Sequence, residues 1–237
     1  MLKVSIILRS ADPSGTDAFL AHRAEAAPEI FERLRADQEW LRYAQYRKVS
    51  AESPIAAAGT NDFLGSEEYW FASEEAARRF FGGSNPYRDG TKVVPYLQAC
   101  LEVSGQVHPI WDAATEAAKV LVLGAGKREL TIEQYRHHWI NVHGPLAMEN
   151  PGGRDVRGRV EYCPADPLSL TGLELGSFDG VASIYVKGSL QVFQKEVNND
   201  YYRDVLKPDE HRFSDPFRSV AIIVSEYCSC GEIPHSL

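Results

Sequence analysis

The sequence predicts an α+β protein made of one βαββαβ unit written twice, with the two copies packed sheet against sheet. Three observations carry this. The chain repeats itself: Lys119-Val120 stands 116 residues after Lys3-Val4, and His138 stands 116 after His22. Phe178-Asp179-Gly180 follows Phe63-Leu64-Gly65 by 115, and Tyr202-Arg203-Asp204 follows Tyr87-Arg88-Asp89 by 115. Anchors in one order at one spacing mark a duplication. Each copy then reads strand, helix, strand, strand, helix, strand. Such a unit forms an antiparallel four-stranded sheet with both helices on one face, and a second copy covers the other face. The halves are placed at residues 1–112 and 118–230, with the linker near 111–118.

The elements follow in order. Residues 2–9, rich in Ile, Leu and Val, read as a strand. Asp12-Pro13-Ser14-Gly15 is a turn. Residues 16–37 have helical composition, with Phe19, Ile30, Phe31 and Leu34 as apolar anchors and Pro28 as an expected break or kink. Residues 41–49 alternate as a strand, which sends Tyr43 and Tyr46 to opposite faces. Residues 50–62 read as loop, 66–72 as a strand, 74–81 as a helix ended by Gly82-Gly83, and 97–106 as a strand. In the second half the last strand is expected at 219–226, after an insertion near 207–214.

Composition narrows the class. The 237 residues are 44% hydrophobic and 24% charged, as in globular proteins, and the formal charge is −8. An acidic chain is poorly suited to nucleic acid or anionic membranes. No apolar run approaches the ~20 residues of a membrane helix. Lys3 and Arg9 interrupt the apolar N-terminal run, which reads as a strand and not a signal peptide. Cys100, Cys163, Cys228 and Cys230 form no C-x-x-C pair. Reduced thiols and a cytoplasmic location are the expectation, with Cys228, Cys230 and His235 the one conceivable metal cluster.

The stretch 131–146, TIEQYRHHWINVHGPL, organises the second half. Thr131 can cap a helix, with Gln134 three residues on. Gly144-Pro145 is expected to stop it. Between them Ile132, Tyr135, Trp139, Val142 and Leu146 share one stripe. At about 100° per residue, His138 and His143 fall on opposite margins of that stripe. Either histidine can be a hydrogen-bonded structural group. Beside a cavity, each could move protons near neutral pH.

The run His138-Trp139-x-x-x-His143-Gly144-Pro145-Leu146 resembles the signature of EthD-domain proteins, small members of the dimeric α+β barrel, or ferredoxin-like, superfamily. The segment Asp209-Glu210-x-x-Phe213-x-Asp215 is similar to that family's acidic and aromatic run before the last strand. The first half keeps His22 but sets Arg23, Ala27 and Glu29 against Trp139, His143 and Pro145. The resemblance implies a barrel formed by two units, here within one chain as a pseudo-dimer, so any homodimer would use an outer surface. It also implies a range of chemistries: cofactor-free monooxygenases, isomerases, decarboxylases, dehydratases and tandem haem enzymes.

The sequence has no Walker A pattern, H-E-x-x-H or G-x-S-x-G, and Gly124-Ala125-Gly126-Lys127 is too short for a dinucleotide fingerprint. The expectation is therefore a cofactor-independent acid–base enzyme, a lyase, isomerase or monooxygenase, acting on a small cyclic or aromatic metabolite. His138 is the candidate general base or acid and His143 its partner. Tyr46, Trp70, Tyr162 and Tyr185 are candidates for the wall of a planar-ligand pocket, Tyr46 matching Tyr162 and Trp70 matching Tyr185 in the repeat. Arg159, with Arg157 beside it, could meet a carboxylate or enolate. The alternatives are a ligand-binding or scaffold protein without turnover, and a haem protein with a histidine axial ligand.

Overall fold

The structure is a computed structural model that describes residues 1–10, 16–36, 39–49, 63–83, 97–112, 118–166 and 168–231. Its first unit contains β1 (Leu2–Ser10), α1 (Thr16–Arg35), β2 (Trp40–Lys48), β3 (Phe63–Phe71), α2 (Glu74–Gly82) and β4 (Leu97–Gln106). The chain runs on as β5 (His108–Asp112). The second unit contains β6 (Ala118–Gly124), α3 (Ile132–His138), α4 (Gly144–Glu149), α5 (Gly153–Val156) and β7 (Arg157–Pro164). It continues with β8 (Glu174–Leu175), β9 (Gly180–Val186), α6 (Leu190–Val197), α7 (Lys207–Phe213) and β10 (Val220–Gly231). Two π-helical segments interrupt it: Trp139–His143 between α3 and α4, and Tyr202–Leu206 before α7.

The strand order β5-β7-β9-β6-β10-β2-β3-β1-β4-β8 contains the same four-strand pattern twice, β2-β3-β1-β4 and β7-β9-β6-β10. Both are antiparallel and ferredoxin-like. Each junction between the sheets uses one long run of chain. β10 pairs β6 through its first residues and β2 through its last. β4 pairs β1, and its continuation β5 pairs β7. The two sheets thus curl into a nearly closed barrel. Ile7, Ala44, Leu121, Val181 and Ile222 fill its interior.

Register fixes which positions correspond. Lys3 pairs with Trp70 and Lys119 with Tyr185, as the repeat requires. The match of Tyr46 with Tyr162 does not hold. Arg42 lies opposite Trp70 and Arg159 opposite Tyr185, after a bulge in each strand. Arg42 therefore corresponds to Arg159, and Tyr46 to Cys163. A slip of one residue turns a side chain to the other face, so Tyr46 points into the barrel and Tyr162 out towards the helices. Pro28 does not break α1, which runs through it to Arg35. Pro28 is exposed, so the carbonyl it displaces can turn to water.

Candidate active site over the second sheet

The helix that opens at Thr131 is capped as its sequence requires. The Thr131 hydroxyl accepts the Gln134 N–H, and the Gln134 side chain accepts the Thr131 N–H in return. It does not stop at Gly144-Pro145. At Trp139 the helix widens to a π turn, in which the Gly144 N–H bonds the Trp139 carbonyl, and α4 continues to Glu149. The extra residue in the turn leaves Pro145 in the first turn of a new α segment, where its missing N–H and its ring are tolerated. The same device recurs at Tyr202–Leu206, where the Lys207 N–H bonds the Tyr202 carbonyl and Pro208 follows.

The π turn changes the site. In a regular helix His138 and His143 would stand about 140° apart. Here both reach one buried carboxylate on α7. His138 Nε2 lies 2.9 Å from Asp209 Oδ1, and His143 Nδ1 lies 3.0 Å from Asp209 Oδ2. Asp209 is 2% exposed. The Phe213 ring packs on both imidazoles, 4.6 Å from that of His138 and 5.2 Å from that of His143.

His143, but not His138, lines a cavity of about 150 Å³ between these helices and the outer face of the second sheet. That volume accommodates one substituted ring. Its walls include Trp139, Tyr162, Ile184, Phe193 and Phe213. Trp139 stacks on Tyr162 with ring centroids 4.5 Å apart. Gly124 makes this stack possible, since a Cβ there would stand 2.1 Å from the indole. His138 faces a shallow groove on the other side of Asp209, with Leu130, His137 and Arg212.

The electrostatics favour proton exchange. Burial holds the His143 imidazole below its usual pKa, against the raising effect of Asp209. With Nδ1–H given to the carboxylate, its Nε2 lone pair is left for another proton, and Glu210 Oε1 stands 4.0 Å away. Burial pushes the Glu210 carboxyl up to about 7. The Tyr202 hydroxyl donates to it at 3.2 Å, and the neighbouring Asp209 charge adds to the upward shift. Burial also raises the Tyr162 phenol.

The remaining candidates lie elsewhere. Tyr46, Trp70, Arg159 and Tyr185 are buried between the sheets, around a network of charges. Lys119 Nζ sits 3.3 Å from the Tyr46 ring centroid and 5.2 Å from that of Tyr185; Lys3 Nζ is 5.1 Å from that of Trp70. Arg159 Nε lies 2.6 Å from Glu161. The expected site is therefore divided: His138, His143 and Tyr162 lie over the second sheet, the other four inside the barrel. On the corresponding face of the first unit, among the described residues, Arg23 pairs with Glu67, and Tyr43 and Tyr69 pack with centroids 4.7 Å apart.

Sequence reasoning left Asp209, Glu210 and Tyr202 out of the site. The Asp209-Glu210 run carried the signal, but only the fold shows that the expected insertion is the helix that delivers it. Among the described residues no group of His, Cys, Asp and Glu could hold a metal ion. His235 lies outside the described residues. A haem is accommodated in part only. His143 Nε2 suits an axial ligand, but a cavity of about 150 Å³ is far smaller than a porphyrin.

Fold and site together define a dimeric α+β barrel condensed into one chain. Residues 127–216, within the second unit, match the family model of the EthD domain. The chain is similar in structure to an anthrone oxidase-like protein, at 8% identity and a TM-score of 0.68, over 97% of this chain and 92% of that one. It is similar to a provisionally assigned monooxygenase from Fusobacterium nucleatum, at 9% identity and 0.60, over 98% and 94%. A chlorite dismutase variant from Candidatus Nitrospira defluvii aligns at 11% and 0.56, over 96% and 91%. At such identities the likeness concerns the fold. No curated protein matches the sequence. Among the described residues no helix is long and apolar enough to cross a membrane.

Proposed function

We propose that the protein is a cofactor-independent acid–base enzyme acting on a small cyclic or aromatic metabolite in the cavity of its second unit. The observation that carries this is His143, tied through Nδ1 to the buried Asp209 and set beside Glu210 at the wall of an aromatic cavity. His143 Nε2 takes a proton from an activated C–H or O–H of the ring. Asp209 stabilises the imidazolium that forms, and His138 holds Asp209 from outside the cavity. Glu210, protonated below about pH 7, returns a proton to another atom of the substrate. Proton out and proton in make an isomerisation; loss of a leaving group after proton removal makes a lyase. Capture of the carbanion by dioxygen gives a hydroperoxide, and its O–O cleavage with loss of water leaves a ring ketone, the outcome of a monooxygenase.

The test is turnover across a panel of phenolic, quinonoid and lactone substrates, with dioxygen uptake recorded. His143→Gln should lower kcat by at least about 100-fold, the size of a general base contribution. An unchanged rate removes His143 from the chemistry. Binding without turnover across the panel supports the non-catalytic reading instead.

A further inference from the structure

Arg157 begins β7 where that strand passes under the cavity, and it lines the cavity. It is 5% exposed. Among the described residues its guanidinium has one hydrogen-bond acceptor, the Ala147 carbonyl, and no carboxylate partner. Burial alone lowers its pKa, to about 10, with no acidic neighbour to hold it up. Its charge is felt at His143, whose protonation it opposes. The buried cations of the barrel interior are arranged differently: Lys3 and Lys119 share Glu68, and Arg159 has Glu161.

A buried charge without a counter-ion is costly. A guanidinium presents five N–H donors in a flat fork, and a carbonyl at one nitrogen leaves most of them unused. The complement of that fork is a carboxylate, which it grips by two parallel hydrogen bonds. The cavity supplies the rest of the ligand's shape, flat aromatic walls around the volume of one ring.

We propose that the substrate is a single-ring carboxylic acid and that Arg157 receives its carboxylate. This deepens the function above by naming the substrate class, and it rests on the same cavity. The carboxylate neutralises the buried guanidinium, and the ring lies against the Trp139–Tyr162 stack within reach of His143. The anion also offsets the opposing charge of Arg157, which favours proton uptake by the imidazole once substrate is bound.

The test is binding of benzoate against its uncharged isostere benzamide, followed by NMR titration of the full chain. Wild type should bind benzoate about 10- to 100-fold more tightly, the worth of a charge-assisted pair. Arg157→Met should abolish that preference while leaving weak benzamide binding. Arg157→Lys, which keeps the charge and loses the fork, should retain part of it and guards against misfolding of the first variant. Lys207→Gln, at the exposed rim, should leave the preference intact. Equal binding of the two probes by wild type, no benzoate binding at all, or a preference that survives Arg157→Met overturns the proposal. Binding is read without turnover, so an Arg157-dependent preference in a protein that turns nothing over would sink the enzymatic reading and leave this one standing.

Discussion

Glu68→Gln should destabilise the barrel more than any surface change. Glu68 lies between two lysines, with Lys3 Nζ at 2.8 Å from one carboxylate oxygen and Lys119 Nζ at 2.6 Å from the other. All three side chains are at most 1% exposed. At an effective dielectric of about 20, each contact is worth roughly 6 kcal/mol of gross attraction. Desolvation offsets much of that, and breaking such a buried pair costs about 3–5 kcal/mol net. The loss is not doubled here. Burial brings the Lys119 ammonium down to about 7, so it can shed its proton when the carboxylate goes. For a chain of this size the cost corresponds to a fall of about 6–20 °C in Tm. Urea unfolding at pH 7 and pH 9 checks it, and the penalty should shrink at the higher pH as Lys119 neutralises. In wild type the Glu68 pKa is depressed, to about 2. Its stabilisation should therefore be present above pH 4.5 and fade as pH falls towards 2. A loss below about 1 kcal/mol at pH 7 would show that Glu68 does not hold the two lysines as a buried counter-ion.

Three further outcomes are expected. Once a substrate is found, kcat/KM should be bell-shaped. The acid limb is set by His143 below its usual value of 6.5, and the alkaline limb by Glu210 at about 7. Glu210→Gln should remove the alkaline limb, and a limb that persists would assign it to another group. Asp209→Asn should lower kcat by about 10²–10⁴-fold with little change in KM, because an amide cannot accept from both imidazoles. Equal loss in kcat and in ligand affinity would make Asp209 a packing residue only. Gly124→Ala should cost about 1–3 kcal/mol and disturb the near-ultraviolet signal of Trp139, since the new methyl would overlap the indole and the Tyr135 hydroxyl. Unchanged spectra and stability would show that the stack is not held as described.

The architecture was legible because it is written in long-range redundancy. Lys3 with Trp70 and Lys119 with Tyr185 are two copies of one strand pair, and their spacing survives in the sequence. Strand faces were less legible. Arg159 follows Arg42 by 117 residues (159 − 42) where Lys119 follows Lys3 by 116 (119 − 3), so the alignment slips by one residue between the first and second strands of the unit, and that parity decides whether a tyrosine meets a lysine inside the barrel or Trp139 outside it. The helical stretch announced its cap but not its π turn, because periodicity assumes one residue-to-turn ratio throughout. The approach of both histidines to Asp209 joins residues about 70 positions apart. Such a contact arises only when α7 docks on α3 and the π segment, and no local pattern encodes it.

The most direct test is a structure of the protein with a bound cyclic ligand, benzoate or a substrate found by the panel. The ring is expected over the second sheet, packed on Trp139 and Tyr162 and within about 3–3.5 Å of His143 Nε2. A ligand lodged between the two sheets, beside Tyr46, Trp70, Arg159 and Tyr185, would overturn the assignment of the site.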